Sequence, residues 1–245
     1  MLLLAIDTSS RSGSLAVLDD HKVVVGVVST STTEDYSSRM FRHLEWLLKE
    51  LSLDLSRFDA FAVASGPGSF TGLRVGLAAV KGWAEVYNRP ILSVNVLEAI
   101  AAQSRSSTTL LAPMFDARRS ELYFGFYPQQ AEDMTTAAPE PEGDAQVSSS
   151  DEFLKTVEAR AREQEVTIVT PTPDIVAEQL KTMNENRGAP LHISLEIVSN
   201  VLAPAIGVIG WHRAQLGKFD SALTLDANYV RRTDAELKWK APSGL

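Results

Sequence analysis

The stretch that decides the fold is Ser65-Gly-Pro-Gly-Ser-Phe-Thr-Gly-Leu-Arg-Val-Gly76. The apolar run over 58–64 that precedes it is typical of a short buried strand, and apolar residues recur at helical spacing over 73–87. Glycines and a proline between a strand and a helix allow a tight turn with unusual backbone angles. Ser69 or Thr71 is placed to cap the helix. The sequence therefore predicts a strand, a tight turn and a long helix.

This turn has two possible roles, and the sequence leaves both open. Free amide groups at the N-terminus of a helix suit an anion such as phosphate, which makes Gly66, Gly68 and Gly72 candidate cofactor-binding residues. The motif lacks the Gly-Lys-Ser/Thr ending that closes a P-loop. The alternative is a purely structural turn that positions the helix.

The composition is that of a globular protein without thiol chemistry. The 245 residues can bury one large core or two small ones, and 44% of them are hydrophobic. The absence of cysteine excludes disulfides and cysteine-ligated metal sites. A net charge of −8 disfavours the binding of a polyanion by this chain alone, so contacts with a nucleic acid would fall mainly to a partner.

The start of the chain is apolar and reaches Asp7 without a basic region before it. This pattern predicts a first strand rather than a signal peptide. No apolar run approaches the length of a membrane span. We therefore expect a cytoplasmic protein that does not bind a membrane.

Two parts of the chain share one layout, in which a strand, a terminal Asp, a polar turn and a second strand follow one another. The first part has predicted strands at 2–6 and 14–18. In the second part, a strand at 110–115 runs into Asp116, and another strand follows at 121–127. The recurrence suggests two related halves, although so short a repeat can also arise by chance.

The remaining elements follow from the periodicity of apolar residues. The segment 129–150 contains no Lys or Arg and is rich in Pro, Ala, Ser, Glu and Asp, which predicts an exposed and mobile loop. The other predicted elements are strands at 23–28, 90–94, 166–170 and 193–198, helices at 36–51, 96–103, 151–164, 173–183 and 201–216, and a basic tail at 231–240.

Two clusters of polar residues are candidates for chemistry. Asp7 and the hydroxyl groups at 8–10 could orient a hydrated metal ion or a phosphate, and the alternative is an Asx turn that closes a hairpin. Asp116 and the charged residues over 118–121 form the second cluster. Its alternative is a solvated hairpin turn whose surface ion pairs contribute little.

The histidines do not indicate a metal site. The four residues His21, His43, His192 and His212 occur singly, without an H-x-x-x-H pair or a strong carboxylate partner. The chain also has no Ser-His-Asp order and no nucleophile elbow. We therefore expect no catalytic residue and no metal ligand in this chain.

Three motifs in a fixed order resemble those of the bacterial TsaB (YeaZ) family. The resemblance is strong over 1–127, weak from 128 to about 200, and returns around 225–240. There, residues 228–231 look like the family's tyrosine-containing C-terminal strand. The motifs are Leu4-Ala-Ile-Asp-Thr-Ser9, Gly66-Pro-Gly-Ser-Phe-Thr-Gly-Leu-Arg-Val-Gly76 and Asp116-Ala-Arg-Arg-Ser-Glu-Leu-Tyr123.

The resemblance implies an α/β protein with the actin-like/Hsp70-like ATPase (ASKHA) fold. Such a fold has two lobes with mixed sheets, and the second lobe is reduced in this family. The lobes would span residues 1–105 and 106–245. A mobile acidic loop is expected at about 129–150, and the C-terminal helix and tail are free to pack back on the first lobe.

The resemblance also implies a non-catalytic scaffold that activates a TsaD-like threonylcarbamoyltransferase by dimerising with it. The TsaD-like subunit modifies adenosine 37 of tRNAs that read codons beginning with A. A TsaE-like ATPase joins the pair, a TsaC-like enzyme supplies threonylcarbamoyl-adenylate, and the scaffold is a homodimer when alone. This chain would have no cofactor of its own, ATP and metal would lie on the partner subunits, and tRNA would be contacted only through the complex.

The resemblance places the partner interface on the helices of the first lobe, at 36–51 and 72–87. Leu77→Glu is expected to weaken assembly without unfolding the chain. The chain departs from the family's catalysts because 34–40, where they carry the H-x-x-x-H metal pair, contains no histidine, and because its second half has no convincing Gly-Gly adenosine motif. The candidate interface residues are Arg39, Met40, His43, Leu73, Leu77 and Trp83.

Two enzymatic functions compete with the scaffold. The first is an actin-fold ATPase or small-molecule kinase that binds Mg-ATP with Asp7, Asp116 and Gly66–Gly72. Tight binding of nucleotide by the isolated chain would favour it. The second is a peptidase, which the missing metal pair and nucleophile disfavour.

Overall fold

Two mixed β-sheets form the framework of the molecule. The computed structural model describes residues 1–32, 34–129, 140–185 and 192–231. The strands are β1 (Leu3–Asp7), β2 (Ser14–Leu18), β3 (Val24–Ser29), β4 (Ala60–Gly66), β5 (Ile91–Asn95), β6 (Leu110–Arg118), β7 (Glu121–Phe124), β8 (Tyr127–Pro128), β9 (Gln146–Ser149), β10 (Val166–Thr170) and β11 (Ile193–Ile197). The helices are α1 (Tyr36–Glu50), α2 (Phe70–Tyr87), α3 (Val96–Ala101), α4 (Ser150–Ala161), α5 (Ala177–Glu185) and α6 (Ala203–Gln215).

The two sheets have the same strand order. The first runs β3-β2-β1-β4-β5, and the second runs β9-β7-β6-β10-β11, with β8 paired to β6. In each sheet a central strand, β1 or β6, is antiparallel to the next strand along the chain and parallel to a later one. The repeat that the sequence suggested is therefore confirmed, and it extends to the whole sheet.

The helices follow the same duplication. α1 comes after β3 as α4 comes after β9, and α2 comes after β4 as α5 comes after β10. The second lobe is reduced in its helices, because α4 and α5 have 12 and 9 residues whereas α1 and α2 have 15 and 18. The structure thus confirms the predicted fold of two lobes with mixed sheets.

The long helix α2 begins at Phe70 rather than at the predicted Leu73, because Ser69 caps it. The Ser69 hydroxyl accepts the backbone N–H of Gly72 at 3.3 Å, as expected of a helix N-cap. The helix ends at Tyr87, and the next residue, Asn88, has the left-handed backbone conformation common at helix C-termini. Of the two capping candidates, the structure selects Ser69.

Four predicted elements need correction. Part of the predicted loop at 129–150 is the strand β9, while residues 130–139 lie outside the described residues. The predicted strand at 121–127 is interrupted at Gly125 and Phe126, between β7 and β8. The helix predicted at 173–183 is a 3-10 turn followed by α5. Residues 228–231 do not form a strand.

The C-terminal helix α6 lies on the first sheet. A Cβ atom on Gly207 would lie 2.2 Å from Leu18 and one on Gly210 would lie 2.8 Å from Ala62, so the helix approaches the strands closely through its glycines. The hydroxyl of Ser14 accepts the N–H of Ala203 at 3.0 Å. The helix therefore covers the central strands of the first lobe.

Candidate functional site

The turns of the two duplicated hairpins line one cleft between the lobes. Residues 9–12 come from the turn between β1 and β2, and 116–118 come from the end of β6. Gly68 and Ser69 of the glycine-rich turn also line the cleft, whose volume is about 380 Å³. Residues far apart in the sequence thus meet at the place where the fold duplication brings the two turns together.

Asp7 and Asp116 occupy equivalent positions and make the same local contact. One carboxylate oxygen of Asp7 accepts the N–H of Ser9 at 2.8 Å, and one of Asp116 accepts the N–H of Arg118 at 2.6 Å. Both are Asx-type turns, which the sequence offered as one interpretation for Asp7, whereas for Asp116 it offered a solvated hairpin turn. The two residues differ in exposure: Asp7 is 0% exposed, whereas Asp116 is exposed.

Burial dominates the electrostatics of Asp7. Its second carboxylate oxygen, Oδ2, is buried and has no hydrogen-bond partner among the described residues. Desolvation raises the pKa of Asp7 to about 6, against the opposing effect of the hydrogen bonds to Ser9. The residue is therefore a carboxyl group whose ionisation is unfavourable in the folded chain.

The raised pKa of Asp7 leads to a testable pH dependence. The folded state binds more protons than the unfolded state between pH values of about 4 and 6, so stability falls as pH rises through this window. Asp7→Asn cannot ionise and keeps an oxygen for the Ser9 N–H. We expect the stability of the variant relative to the parent chain to rise by about 2 kcal/mol from pH ~4 to pH ~7.5. Urea unfolding at several pH values measures this change, and a difference that is constant with pH would contradict it.

The glycine-rich turn packs against the turn that follows β1. A Cβ on Gly72 would lie 2.0 Å from the carbonyl oxygen of Thr8, and one on Gly68 would lie 2.6 Å from that of Ser9. The N–H of Ser69 donates to the same Ser9 carbonyl at 2.7 Å. The space beside these glycines is thus occupied by the chain's own backbone.

Gly66 has a similar packing role at the other end of the motif. Its φ of +117° is a conformation that favours glycine, and a Cβ there would lie 2.6 Å from the carbonyl oxygen of Asn228. Each of the candidate cofactor-binding glycines, Gly66, Gly68 and Gly72, therefore has a packing reason to be glycine. A cofactor-binding role for them, and for Asp7, stays a prediction.

The segment 228–231 connects the two lobes by side-chain contacts instead of strand pairing. The ring of Tyr229 stacks on Phe70 with 4.8 Å between the centroids, and its hydroxyl accepts Nε–H of Arg74 at 2.9 Å. Arg231 forms an ion pair with Glu121 at 3.0 Å in the second lobe. The sequence indicated that this segment matters but not that it bridges the lobes.

Most of the predicted interface residues lie inside the first lobe, and this is a correction. Met40, Leu73 and Leu77 belong to the hydrophobic core, where the apolar stripes of α1 and α2 pack against the sheet. Arg39 is buried too, and its guanidinium donates to the carbonyl of Arg11 at 2.9 Å. Leu77→Glu would bury a charge, since Leu77 is 5% exposed, so it would unfold the chain rather than probe a surface.

The exposed faces of α1 and α2 carry other apolar side chains. Phe41 is 53% exposed, and its ring meets the half-buried Trp83 edge to face at 6.4 Å between centroids. Trp46 and Val86 are exposed as well. Of the predicted residues, His43 and Trp83 remain partly accessible. The aromatic residues opposite the core stripe were the sequence signal that could have identified this face.

Comparison with known proteins decides the family. The family model described as "TsaD: tRNA N6-adenosine threonylcarbamoyltransferase" matches residues 14–177, which is more than half of the chain. The chain belongs to the TsaD family. Within it, the chain resembles TsaB proteins. That of Bacillus subtilis is 35% identical over 127 residues, and that of Escherichia coli is 30% identical over 129 residues.

The chain spans about half the length of these two TsaB proteins. The matched region is 52% of this chain and 55% of each relative. Both are named "tRNA threonylcarbamoyladenosine biosynthesis protein TsaB". The structure of "YeaZ from Pseudomonas aeruginosa" superposes with a TM-score of 0.71 over 93% of this chain and 99% of that one, at 23% identity. The fold likeness thus extends over both lobes, beyond the region of sequence similarity.

Neither a membrane span nor a metal cluster is found among the described residues of this member of the TsaD family. None of its described helices combines the length and the apolar character that crossing a membrane requires. In the same residues, no group of three or more His, Cys, Asp or Glu side chains is placed to hold a metal ion.

Proposed function

We propose that this chain is a non-catalytic subunit that activates a TsaD-like threonylcarbamoyltransferase by forming a heterodimer with it. The reaction is the formation of threonylcarbamoyladenosine at position 37 of tRNAs that read codons beginning with A. In this proposal, ATP and metal lie on the partner subunits, a TsaE-like ATPase joins the pair, and tRNA is bound through the complex. When alone, the chain forms a homodimer, and it acts in the cytoplasm.

The observation that carries this proposal is the exposed apolar face of α1 and α2, which we call the aromatic face and define as Phe41, Trp83 and Val86. Monomeric soluble proteins rarely leave contiguous apolar surface uncovered, and aromatic residues are enriched at the centres of interfaces. Phe41 and Trp83 join the two helices at their exposed side. The names of the relatives support a role in threonylcarbamoyladenosine biosynthesis, and the aromatic face supports a binding surface for a partner subunit.

The packing of the glycine-rich turn also supports a non-catalytic role. The carbonyl groups of Ser9 and Thr8 occupy the space where side chains at Gly68 and Gly72 would lie. Packing within the chain therefore explains why these two residues are glycine, without a ligand. The buried carboxylate of Asp7 points in the same direction, because its charged form is disfavoured. These features favour a scaffold over an enzyme that cycles through Mg-ATP.

Phe41→Glu is expected to weaken the heterodimer with the TsaD-like protein of the same organism. Loss of a central aromatic contact and burial of a charge correspond to about 2 kcal/mol or more, which is roughly a 30-fold rise in Kd. Leu223→Glu is the matched control, since Leu223 is 95% exposed and lies outside the aromatic face. Isothermal titration calorimetry compares the two variants.

Val86→Glu provides a second test on the neighbouring helix. Val86 is 74% exposed, so the substitution leaves the core intact. Equal affinities for the parent chain, Phe41→Glu and Val86→Glu would show that the partner binds elsewhere. A fall in affinity that Leu223→Glu shares would point to a general charge effect instead.

A second candidate function, an actin-fold ATPase or small-molecule kinase, is favoured by the cleft itself. The two Asp-bearing turns face it, and Arg118 and several hydroxyl groups line it. Titration of Mg-ATP into the isolated chain tests this candidate. Tight binding that Asp7→Asn abolishes would support the enzyme and would count against the scaffold.

A further inference from the structure

An open groove runs between α4 and α5 in the second lobe. Its volume is about 440 Å³, and it is lined from both helices at helical spacing, by 151–158 of α4 and 178–183 of α5. Leu154, which is buried, and Met183, which packs on the core of the second lobe, give it an apolar floor. The groove is therefore suited to an apolar side chain.

The duplication of the fold provides a comparison for this groove. In the first lobe, the corresponding helices are α1 and α2, and the rings of Phe41 and Trp83 meet between them. In the second lobe, no described residue fills the corresponding space between α4 and α5, where the groove lies. An aromatic side chain from another segment would fill the space between α4 and α5, as the rings of Phe41 and Trp83 fill the space between α1 and α2.

The rim of the groove is acidic. Asp151 and Glu158 on α4 and Glu178 on α5 line it, together with a single cation, Lys155. Glu158 is ion-paired with Arg162 at 3.0 Å, so Asp151 and Glu178 are the carboxylates that a basic segment would meet. A segment that combines an aromatic residue with basic neighbours would complement both the floor and the rim.

The described chain ends beside the edge of the second sheet from which α4 begins. Arg231, the last described residue, is ion-paired with Glu121 at 3.0 Å, and Glu121 lies opposite Ser149 in the pairing of β7 with β9. Adjacent strands are about 5 Å apart. Ser149 is followed directly by α4, and the side chain of Gln179, which lines the groove, donates to Asp151 at 3.1 Å. The residues after Arg231 therefore begin on the cleft face of the second sheet, beside the edge strand β9 that leads into α4.

The remaining sequence has the composition that the groove requires. Residues 232–245 follow Arg231 and contain Leu237-Lys238-Trp239-Lys240. Trp239 is the eighth residue after Arg231, and eight residues can reach up to about 26 Å when fully extended. Trp239 supplies the aromatic ring, and its basic neighbours Lys238 and Lys240 match the acidic rim.

We propose that the segment 237–240 of this chain binds in the groove between α4 and α5, with Trp239 over Leu154 and Met183 and with the lysines toward Asp151 and Glu178. The binding is intramolecular and independent of the proposed partnership with a TsaD-like protein. A tether this short gives an effective concentration in the millimolar range. A groove that bound the free segment with a Kd of only ~0.1 mM would then be filled in about nine chains of ten.

The absence of cysteine permits a direct test with the full chain. Thr182→Cys on α5 or Lys155→Cys on α4 creates a unique thiol at one wall of the groove, which is labelled with bimane, a fluorophore that tryptophan quenches on contact. We expect bimane emission from both positions to rise by roughly twofold or more when Trp239→Phe is added, because most chains would hold the segment in place. Trp46→Phe, in the first lobe, is the matched control and should change nothing.

A charge reversal tests the rim. Glu178→Lys should relieve the quenching in part, whereas Glu163→Lys, an equal change at an exposed residue of the same lobe outside the groove, should not. Emission that is the same with Trp239 and with Trp239→Phe at both label positions would overturn the proposal. Quenching that increases with protein concentration would also overturn it, because the groove would then hold the segment of a second copy.

Discussion

Gly72→Ala is expected to lower the free energy of unfolding by at least about 3 kcal/mol, because the new methyl group has no space. The Cβ would lie 2.0 Å from the carbonyl oxygen of Thr8, which is a backbone atom of the turn directly after β1. Relief of the overlap requires α2 or the turn after β1 to move. Urea unfolding monitored by circular dichroism measures the loss.

Two other glycines of α2 provide graded controls. Gly82 has nothing within 4 Å of its Cβ position, so Gly82→Ala should stabilise the chain by up to about 1 kcal/mol through helix propensity. At Gly76 the Cβ would lie 2.4 Å from the hydroxyl of Thr8, a side-chain atom. Gly76→Ala should therefore be destabilising in the parent chain and much less so when combined with Thr8→Ala. Similar effects at Gly72 and Gly82 would contradict the packing account.

Arg213→Ala is expected to destabilise the chain by about 3 kcal/mol, because it leaves a buried carboxylate without its partner. Glu98 on α3 is 4% exposed and receives two hydrogen bonds of 2.8 Å from the guanidinium of Arg213 on α6. Arg213 also donates to the carbonyl of Ser93. The pair thus joins α6 to α3, and the hydrogen bond to Ser93 joins α6 to the edge strand β5.

Removal of Arg213 should also change the pH dependence. Desolvation already raises the pKa of Glu98 despite the attraction of Arg213, and loss of the cation raises that pKa further. Protonation removes the buried charge, so the destabilisation by Arg213→Ala should shrink as pH falls. Arg213→Met combined with Glu98→Gln, which removes both charges, should recover much of the stability. A penalty that is the same at all pH values, or that the double variant retains in full, would contradict this account.

The sequence predicted the central elements well because their signals are local. The cap at Ser69, the helix α2 and the two Asp-bearing hairpins depend on neighbouring residues, and the structure has them. The contact between Gly72 and Thr8 depends on two segments far apart in the chain, and no local pattern indicates it. Packing of the glycine-rich turn was therefore beyond sequence reasoning, although the glycines themselves were recognised.

The interface residues were misplaced for a related reason. Helical periodicity identifies the apolar stripe of α1, through Met40, and that of α2, through Leu77. It does not tell whether a sheet or a partner covers these stripes. In the structure the sheet covers them. Phe41 was overlooked because it stands on the opposite side of α1, among polar residues. The same limit applies to β9. Its composition is typical of a loop, and its strand conformation depends on pairing with β7, which the local sequence does not indicate.

The most direct test of the central claim is the mass of the complex that forms when this chain is co-expressed with the TsaD-like protein of its own organism. Size-exclusion chromatography with light scattering gives that mass for the purified sample. We predict a one-to-one heterodimer that replaces the homodimer of the isolated chain. Two species that elute separately, each with the mass it has alone, would contradict the proposed role as an activating subunit.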